Sequence, residues 1–298
     1  MGYLFLTLAL SAGIVKAYCG KRSSYAITRT RDAITITTVR MLLCCVIGFI
    51  LPLATNTSFA VLSERMLLIA IASGICSAGF VVFWLISVRN SMYMMVEVFV
   101  AGGVLVPLVF CNILYDEPIG LVDMICVGLI LVGIYLISAK GKEEKGRWNA
   151  RGIALLVVTM LFSGASNLTQ KMYANEFPGG NALVFNFYVY VFAAAVLIVI
   201  SAVLSIKDRE PIKISLRVVK PIWLYVTIMA GCLFLNSYFN TMAASHLDAV
   251  VLYPVSQGLA MVLSLVMAVV IFKEKITPKA GVGIALTLTA IILLNINI

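Results

Sequence analysis

The sequence predicts an all-α, polytopic membrane protein of ten transmembrane helices, arranged as two inverted five-helix repeats. Three observations carry that prediction. First, 62% of the 298 residues are hydrophobic and only 12% are charged, where a soluble domain averages about 25% charged; too little polar surface is left to cover a water-facing globule. Second, the apolar residues gather in ten runs, most of them near the roughly 20 residues that match the thickness of bilayer hydrocarbon. Third, one segment recurs at a fixed offset in the two halves of the chain.

The runs fall at 3–18, 34–53, 66–88, 91–114 and 119–139, then at 152–170, 181–206, 221–245, 249–272 and 280–297. The first has neither a basic flank before it nor a small-residue cleavage site after it, so it is expected to stay as a membrane helix. The longest connections are about fifteen residues, too short for a soluble domain. The organisation that follows is a first repeat at 1–139, a basic cytoplasmic linker at 140–151 and a second repeat at 152–298.

Charge sorts the connections into two classes. Those after runs one, three, five, seven and nine hold eighteen Lys and Arg, including Lys21, Arg22, Arg89, Lys142, Arg147, Lys213 and Lys275; the other four hold two, Arg65 and Lys171. Positive residues favour the cytoplasmic side, which places the first set there and both termini outside, in what is read as a plasma (inner) membrane protein. The net charge of +9 is thus spread over short loops rather than gathered on one face, and nucleic acid is not an expected partner.

Several chemistries are excluded at this stage. The seven cysteines lie mostly inside apolar runs, with no C-x-x-C and no Cys/His cluster, and read as small buried hydrophobes. His246 is the single histidine. No His-based metal site or catalytic dyad is expected, no cofactor, and no enzyme activity. The P-loop pattern G-x-x-x-x-G-K-[ST] is missing, which points to secondary rather than ATP-driven transport.

The recurring segment is "YDEPIGLVDMICVGLILVGIYLI" against "FKEKITPKAGVGIALTLTAIILL", which superpose with an offset of 157: Glu117 on Glu274, Ile119 on Ile276, Leu129 on Leu286, Leu131 on Leu288, Ile134 on Ile291 and Leu136 on Leu293. Each is a run end, an acidic hairpin and the next run. Five runs separate the copies, and because five is odd they enter the membrane from opposite sides. That is an inverted repeat, the arrangement associated with alternating access about a midplane site.

In these features the chain resembles the ten-helix, EamA-type members of the drug/metabolite transporter (DMT) superfamily. Glu274, Ile276, Thr277, Gly283 and Ala290 fit the family's half-repeat ending; Glu117, Ile119 and Gly133 fit the first copy, while Gly120 and Cys126 depart from it. The "SAGIVKAY" of run one replaces the family's usual Trp-Gly pair. The resemblance implies a transporter of amino acids, other metabolites, drugs or sugar derivatives.

Glu97 is the one carboxylate in run four. It lies about eight residues, roughly 12 Å at helical rise, from Arg89, too deep for a short side chain to reach the headgroups. A charged residue at that depth normally faces a water-filled cavity or a partner. The alternative is a neutral, hydrogen-bonded acid that locks two helices together. The same repeat offset sets Glu97 against Pro254 in the "YPVSQG" of run nine, and Tyr93 shares its helix face.

Other polar residues recur at helical spacing: Ser163, Asn167 and Gln170 with Lys171, then Asn186 with Tyr190, Asn236 with Asn240, and Tyr253 with Ser256 and Gln257. In hydrocarbon such stripes must point inward. Any one of them reads as interhelical glue, but together they imply a shared polar cavity lined by runs one, three, four, six, eight and nine. Lys16, Lys171 and Arg40 have snorkelling to the headgroups as their ordinary reading, with a ligand or Glu97 as the other. Asp116, Glu117 and Glu274, at helix ends, read as caps.

The expected function is secondary active transport, as an exporter or exchanger, of a small polar metabolite such as an amino acid or related amine, with a proton or another ion as the coupling partner. Glu97 is the candidate proton or amine site; Tyr93, Asn167, Lys171, Asn236, Asn240, Tyr253, Ser256 and Gln257 are the candidate substrate contacts. Two other readings stand beside it. Efflux of lipophilic cations or drugs is favoured by a buried acid without a deep basic partner, and a non-transporting membrane scaffold would have its polar stripes sealed by packing. The oligomeric state is left open.

Overall fold

In a computed structural model the described residues are 1–56, 59, 63–91, 93–115, 120–138, 150–208, 219–273 and 278–296. They contain eleven α-helices and no strand: α1 (Gly2–Ser24), α2 (Thr30–Ala54), α3 (Glu64–Asn90), α4 (Tyr93–Gly102), α5 (Leu105–Tyr115), α6 (Leu121–Ser138), α7 (Ala150–Glu176), α8 (Ala182–Asp208), α9 (Trp223–Ala244), α10 (Ala249–Val270) and α11 (Pro278–Ile296). The acidic hairpin residues Asp116, Glu117, Ile119, Glu274, Ile276 and Thr277, and linker residues 140–149, lie outside the described residues.

Helix starts follow local chemistry. The Asp32 carboxylate accepts from the backbone N–H groups of Thr28 and Arg29, at 2.8 and 2.7 Å, and so holds the entry to α2. Ser63 Oγ accepts from Met66 N at 3.3 Å ahead of α3, and Asn181 Oδ1 accepts from Leu183 N at 3.0 Å ahead of α8. Each side chain satisfies a donor that the first helical turn leaves without an intrahelical partner.

Among the described residues, seven stretches are long and apolar enough to cross a membrane, with shorter apolar stretches at Val255–Val270 and Gly281–Ala290. Their outer faces present large hydrophobics to the surroundings, among them Leu68, Ile113, Ile206 and Val270. A face of this kind suits hydrocarbon and not water. The stretch Tyr93–Tyr115, which carries Glu97, is the most enclosed of the seven, with 67% of its apolar window buried.

That stretch is not the one continuous helix that the sequence predicts. It breaks between α4 and α5 at Gly103 and Val104. Pro107 has no N–H to offer the carbonyl of Gly103, four residues back; Val106 N takes that carbonyl at 3.1 Å, and Gly103 N and Val104 N likewise bond three residues back, a local 3₁₀ tightening. Gly103 also lies against α7, where a Cβ on it would come within 2.8 Å of Met160 O and 3.1 Å of Gly164 N. Small residues let two backbones approach this closely in a membrane.

The helix packing has an internal correspondence. Pairing α1 with α7, α2 with α8, α3 with α9, α4 and α5 with α10, and α6 with α11 maps the contacts onto each other. Thus α1 packs on α9 as α3 packs on α7, α3 on α8 as α2 on α9, α4 on α7 as α1 on α10, and α4 on α6 as α10 on α11; α2–α8 and α6–α11 are their own counterparts.

Candidate functional site

Eight helices, all but α5, α6 and α11, surround a central cavity of about 160 Å³. The volume is close to that of a ~150 Å³ cavity able to hold benzene, but these walls are polar in part. Helix α1 contributes Gly13 and Lys16, α3 contributes Ser77 and Trp84, and α4 contributes Glu97. From the other side come Ser163, Ser166, Asn167 and Gln170 of α7, Asn236, Ser237 and Asn240 of α9, and Ser256, Gln257 and Ser264 of α10. Helices α2 and α8 add Arg40 and Tyr190.

Glu97 is half-buried at the wall. Its two carboxylate oxygens are engaged separately: Trp84 Nε1 donates to Oε1 at 2.9 Å and Ser264 Oγ donates to Oε2 at 3.3 Å. Tyr93, fully buried behind it, donates its hydroxyl to Ser264 Oγ at 3.2 Å. The acid therefore joins α3, α4 and α10 while still lining the cavity.

Two cations share the space. Lys16 Nζ donates to Asn236 Oδ1 at 3.1 Å, and Asn236 is turned that way because its own Nδ2 donates to Ala9 O at 2.7 Å. Lys16 interacts electrostatically with both Glu97 and Arg40 without a direct ion pair to Glu97 among the described residues. Arg40 is 2% exposed. Neither cation snorkels, because each stands on a helix face turned to the bundle interior.

The remaining predicted residues divide into two groups. Asn167, Asn236, Asn240, Ser256 and Gln257 line the cavity, whereas Tyr93, Tyr253 and Lys171 do not. Tyr253 donates its hydroxyl to Asn167 O at 2.7 Å, tying α10 to α7. Lys171 donates to Ala244 O at 3.4 Å and Leu247 O at 2.9 Å, a cation on the carbonyl end of α9 where the helix dipole favours it. Asn186 donates to Ala182 O and Thr241 Oγ1 and accepts from Ser237, whose hydroxyl also accepts from Gln170 Nε2. That chain of bonds holds α7, α8 and α9 together.

No group of His, Cys, Asp and Glu among the described residues has the arrangement to hold a metal ion. Trp84 and Ser264, the two groups that position Glu97, gave no sequence signal, since a Trp and a Ser in apolar runs carry no periodic mark.

Residues 150–296 match the EamA-like transporter family. This half of the chain belongs to the EamA-like transporter family. One solved crystal structure of a protein 14% identical in sequence superposes with a TM-score of 0.67, covering 99% of this chain and 96% of that one; at that identity the likeness speaks for the fold alone. No curated protein matches the chain. The family is one of membrane transporters of the drug/metabolite type and not of enzymes, and with the apolar helices it makes this an integral, multi-pass membrane protein whose partners are the lipid bilayer and a small-molecule substrate.

Proposed function

We propose that this EamA-like protein is a secondary active transporter, an exporter or exchanger, that moves a small polar metabolite such as an amino acid or related amine by alternating access through the central cavity. The observation that carries the reading is the cavity itself: polar side chains of eight helices, with both signs of charge, converge on one space. Interhelical bonding alone needs no such space, which argues against a sealed scaffold.

The chain runs as ten spans in two inverted five-helix repeats, with α4 and α5 as one broken span. The correspondence of helix packing under a five-span shift supports this, as do the matched acidic hairpins of the sequence. A broken span beside a central site is a recurring device in transporters, since irregular backbone is tolerated where it faces protein or a cavity. Eighteen basic residues in the odd-numbered connections against two in the others support cytoplasmic odd-numbered loops and external termini.

Within the site, Glu97 is the proton or substrate-amine group, and Asn167, Asn236, Asn240, Ser256 and Gln257 offer orienting contacts. Efflux of lipophilic cations fits less well, because it was the lack of a basic residue near the acid that favoured it, and both Lys16 and Arg40 line the same cavity. Counterflow in proteoliposomes tests the proposal: a panel of amino acids, amines and organic acids is preloaded and exchange of labelled compound is followed. Saturable exchange of one polar class is expected, and exchange of quaternary amines alone would turn the reading to its rival.

A further inference from the structure

We infer that the transported metabolite carries a carboxylate, and that Arg40 of α2 is the residue that receives it. The inference rests on the transport reading and sharpens it by naming the group that the cavity is built to recognise.

Arg40 stands near the middle of the 25-residue α2, is 2% exposed and lines the central cavity. Its guanidinium is almost without acceptors. Nη1 donates to the thioether of Met229 at 3.0 Å, a weak acceptor, while Nε and Nη2 are buried with no hydrogen-bond partner among the described residues. The titratable groups that act on it, Cys44 and Tyr190, carry no charge at neutral pH: Cys44 directs its thiol to Ala230 O at 3.3 Å and Tyr190 its hydroxyl to Leu233 O at 3.2 Å.

A buried, permanently charged side chain left this way is costly, and membrane proteins keep such residues where a partner or a pathway needs them. The acid of the site does not supply that partner, since the donors on Glu97 are Trp84, Ser264 and Tyr93, and none is Arg40. The asymmetry decides the chemistry of the ligand. What the cavity lacks is an acceptor at Arg40, not a donor at Glu97.

The shape of the unmet demand is specific. Nε and Nη2, enclosed in this conformation, form one edge of the guanidinium fork, which matches the two oxygens of a carboxylate in parallel hydrogen bonds once the side chain turns that edge to the cavity. The charge balance agrees, because two cations, Lys16 and Arg40, face one acid across the cavity, so a single negative group neutralises the site. A phosphate, at about −1.5 to −2 at neutral pH, would exceed that balance beside Glu97. A simple hydroxy or keto acid, with one carboxylate, completes that balance, whereas an amino acid places its carboxylate on Arg40 and its ammonium toward Glu97 but, being net neutral, leaves the balance unchanged.

The test is ligand-induced stabilisation of the purified full-length protein in detergent. The probes are amino acids, hydroxy acids and dicarboxylic acids, each beside its own carboxamide and its phosphonate. The expected result is that one class of carboxylates stabilises the wild type and that the matching amides bind about 10- to 100-fold more weakly, the loss of hydrogen bonds to a charged group. Arg40→Gln should abolish the distinction between acid and amide, and Arg40→Lys, which keeps the charge but not the fork, should restore part of it. Equal stabilisation by acid and amide, binding of phosphonates but not carboxylates, or no response to any carboxylate would overturn the inference. If Arg40→Gln does not yield a monodisperse protein, the acid–amide comparison on the wild type decides alone. Arg40-dependent binding of carboxylates without counterflow would remove the transport reading and leave the carboxylate site standing, whereas flux that is indifferent to Arg40 would do the reverse.

Discussion

Replacing Glu97 separates its structural from its functional role, and the local geometry sets the size of each effect. The carboxylate accepts from Trp84 Nε1 at 2.9 Å and from Ser264 Oγ at 3.3 Å. In Glu97→Gln the amide oxygen can face Trp84, which is only a donor, and the amide nitrogen can face Ser264, whose hydroxyl can turn to accept. Both contacts survive in altered form, so stability should fall by no more than about 1 kcal/mol, in line with interhelical hydrogen bonds in membranes averaging about 0.6 kcal/mol. Glu97→Leu is different, because it removes both acceptors and strands the Trp84 N–H, a loss of about 1–3 kcal/mol.

Unfolding of the purified variants in mixed micelles measures these differences. Transport then tests function, since glutamine cannot titrate: if Glu97 carries the coupling proton, Glu97→Gln should lose accumulation driven by a pH gradient while keeping exchange. If it meets a substrate amine, affinity should fall by about 1.5–3 kcal/mol and neutral analogues should lose less. A Glu97→Gln protein with wild-type transport and pH dependence would refute both roles and leave the acid as a helix lock.

Other predictions follow from packing. A side chain at Gly164 would press on the carbonyl of Gly103 and come within 2.6 Å of Val106 Cβ, so Gly164→Val should cost about 1–3 kcal/mol by overpacking, read in the same unfolding assay. Lys171→Met removes a cation from the carbonyl end of α9 and should lower stability by up to about 1 kcal/mol while leaving substrate affinity in counterflow unchanged. Phe272 stacks near Tyr18 at 6.1 Å and edge-on to Tyr93 at 5.6 Å, with Lys21 Nζ 5.8 Å from its ring; these contacts tie the C-terminal ends of α1 and α10 to the start of α4. Phe272→Ala should therefore raise uncoupled leak of substrate from proteoliposomes. On the proposed orientation, cysteine introduced at Lys142 should resist impermeant labelling in intact cells.

The all-helical, multi-pass character was legible because a membrane helix is marked by length and composition alone. The apolar runs needed no periodicity to be found, and most helix ends moved by four residues or fewer, as at Thr30, although α1 and α7 each run six residues past the predicted end, to Ser24 and Glu176. The break at Gly103 was not legible in the same way, because it depends on the missing N–H of Pro107 acting together with the approach of Gly164 from a distant helix. Within the site, stripes identified the cavity-facing side of α7, α9 and α10 but not depth. Asn167 and Lys171 are one turn apart, yet the first lines the cavity and the second reaches the end of α9. Arg40 shows the limit most clearly: a long cation a third of the way into a run is compatible with snorkelling until packing turns its helix face inward.

The central claim is that one cavity opens in turn to each side of the membrane. Ser256 lines it from α10, and among the described residues its hydroxyl makes only a local bond, to Tyr253 O at 3.1 Å, so a cysteine fits there with little disturbance. In a variant with the seven native cysteines replaced and Ser256→Cys introduced, the reaction with a membrane-impermeant thiol reagent is followed separately from each face of sealed proteoliposomes. The account predicts modification from both faces, slowed by transported substrate at either one. Modification from one face only, under conditions that drive exchange, would contradict it.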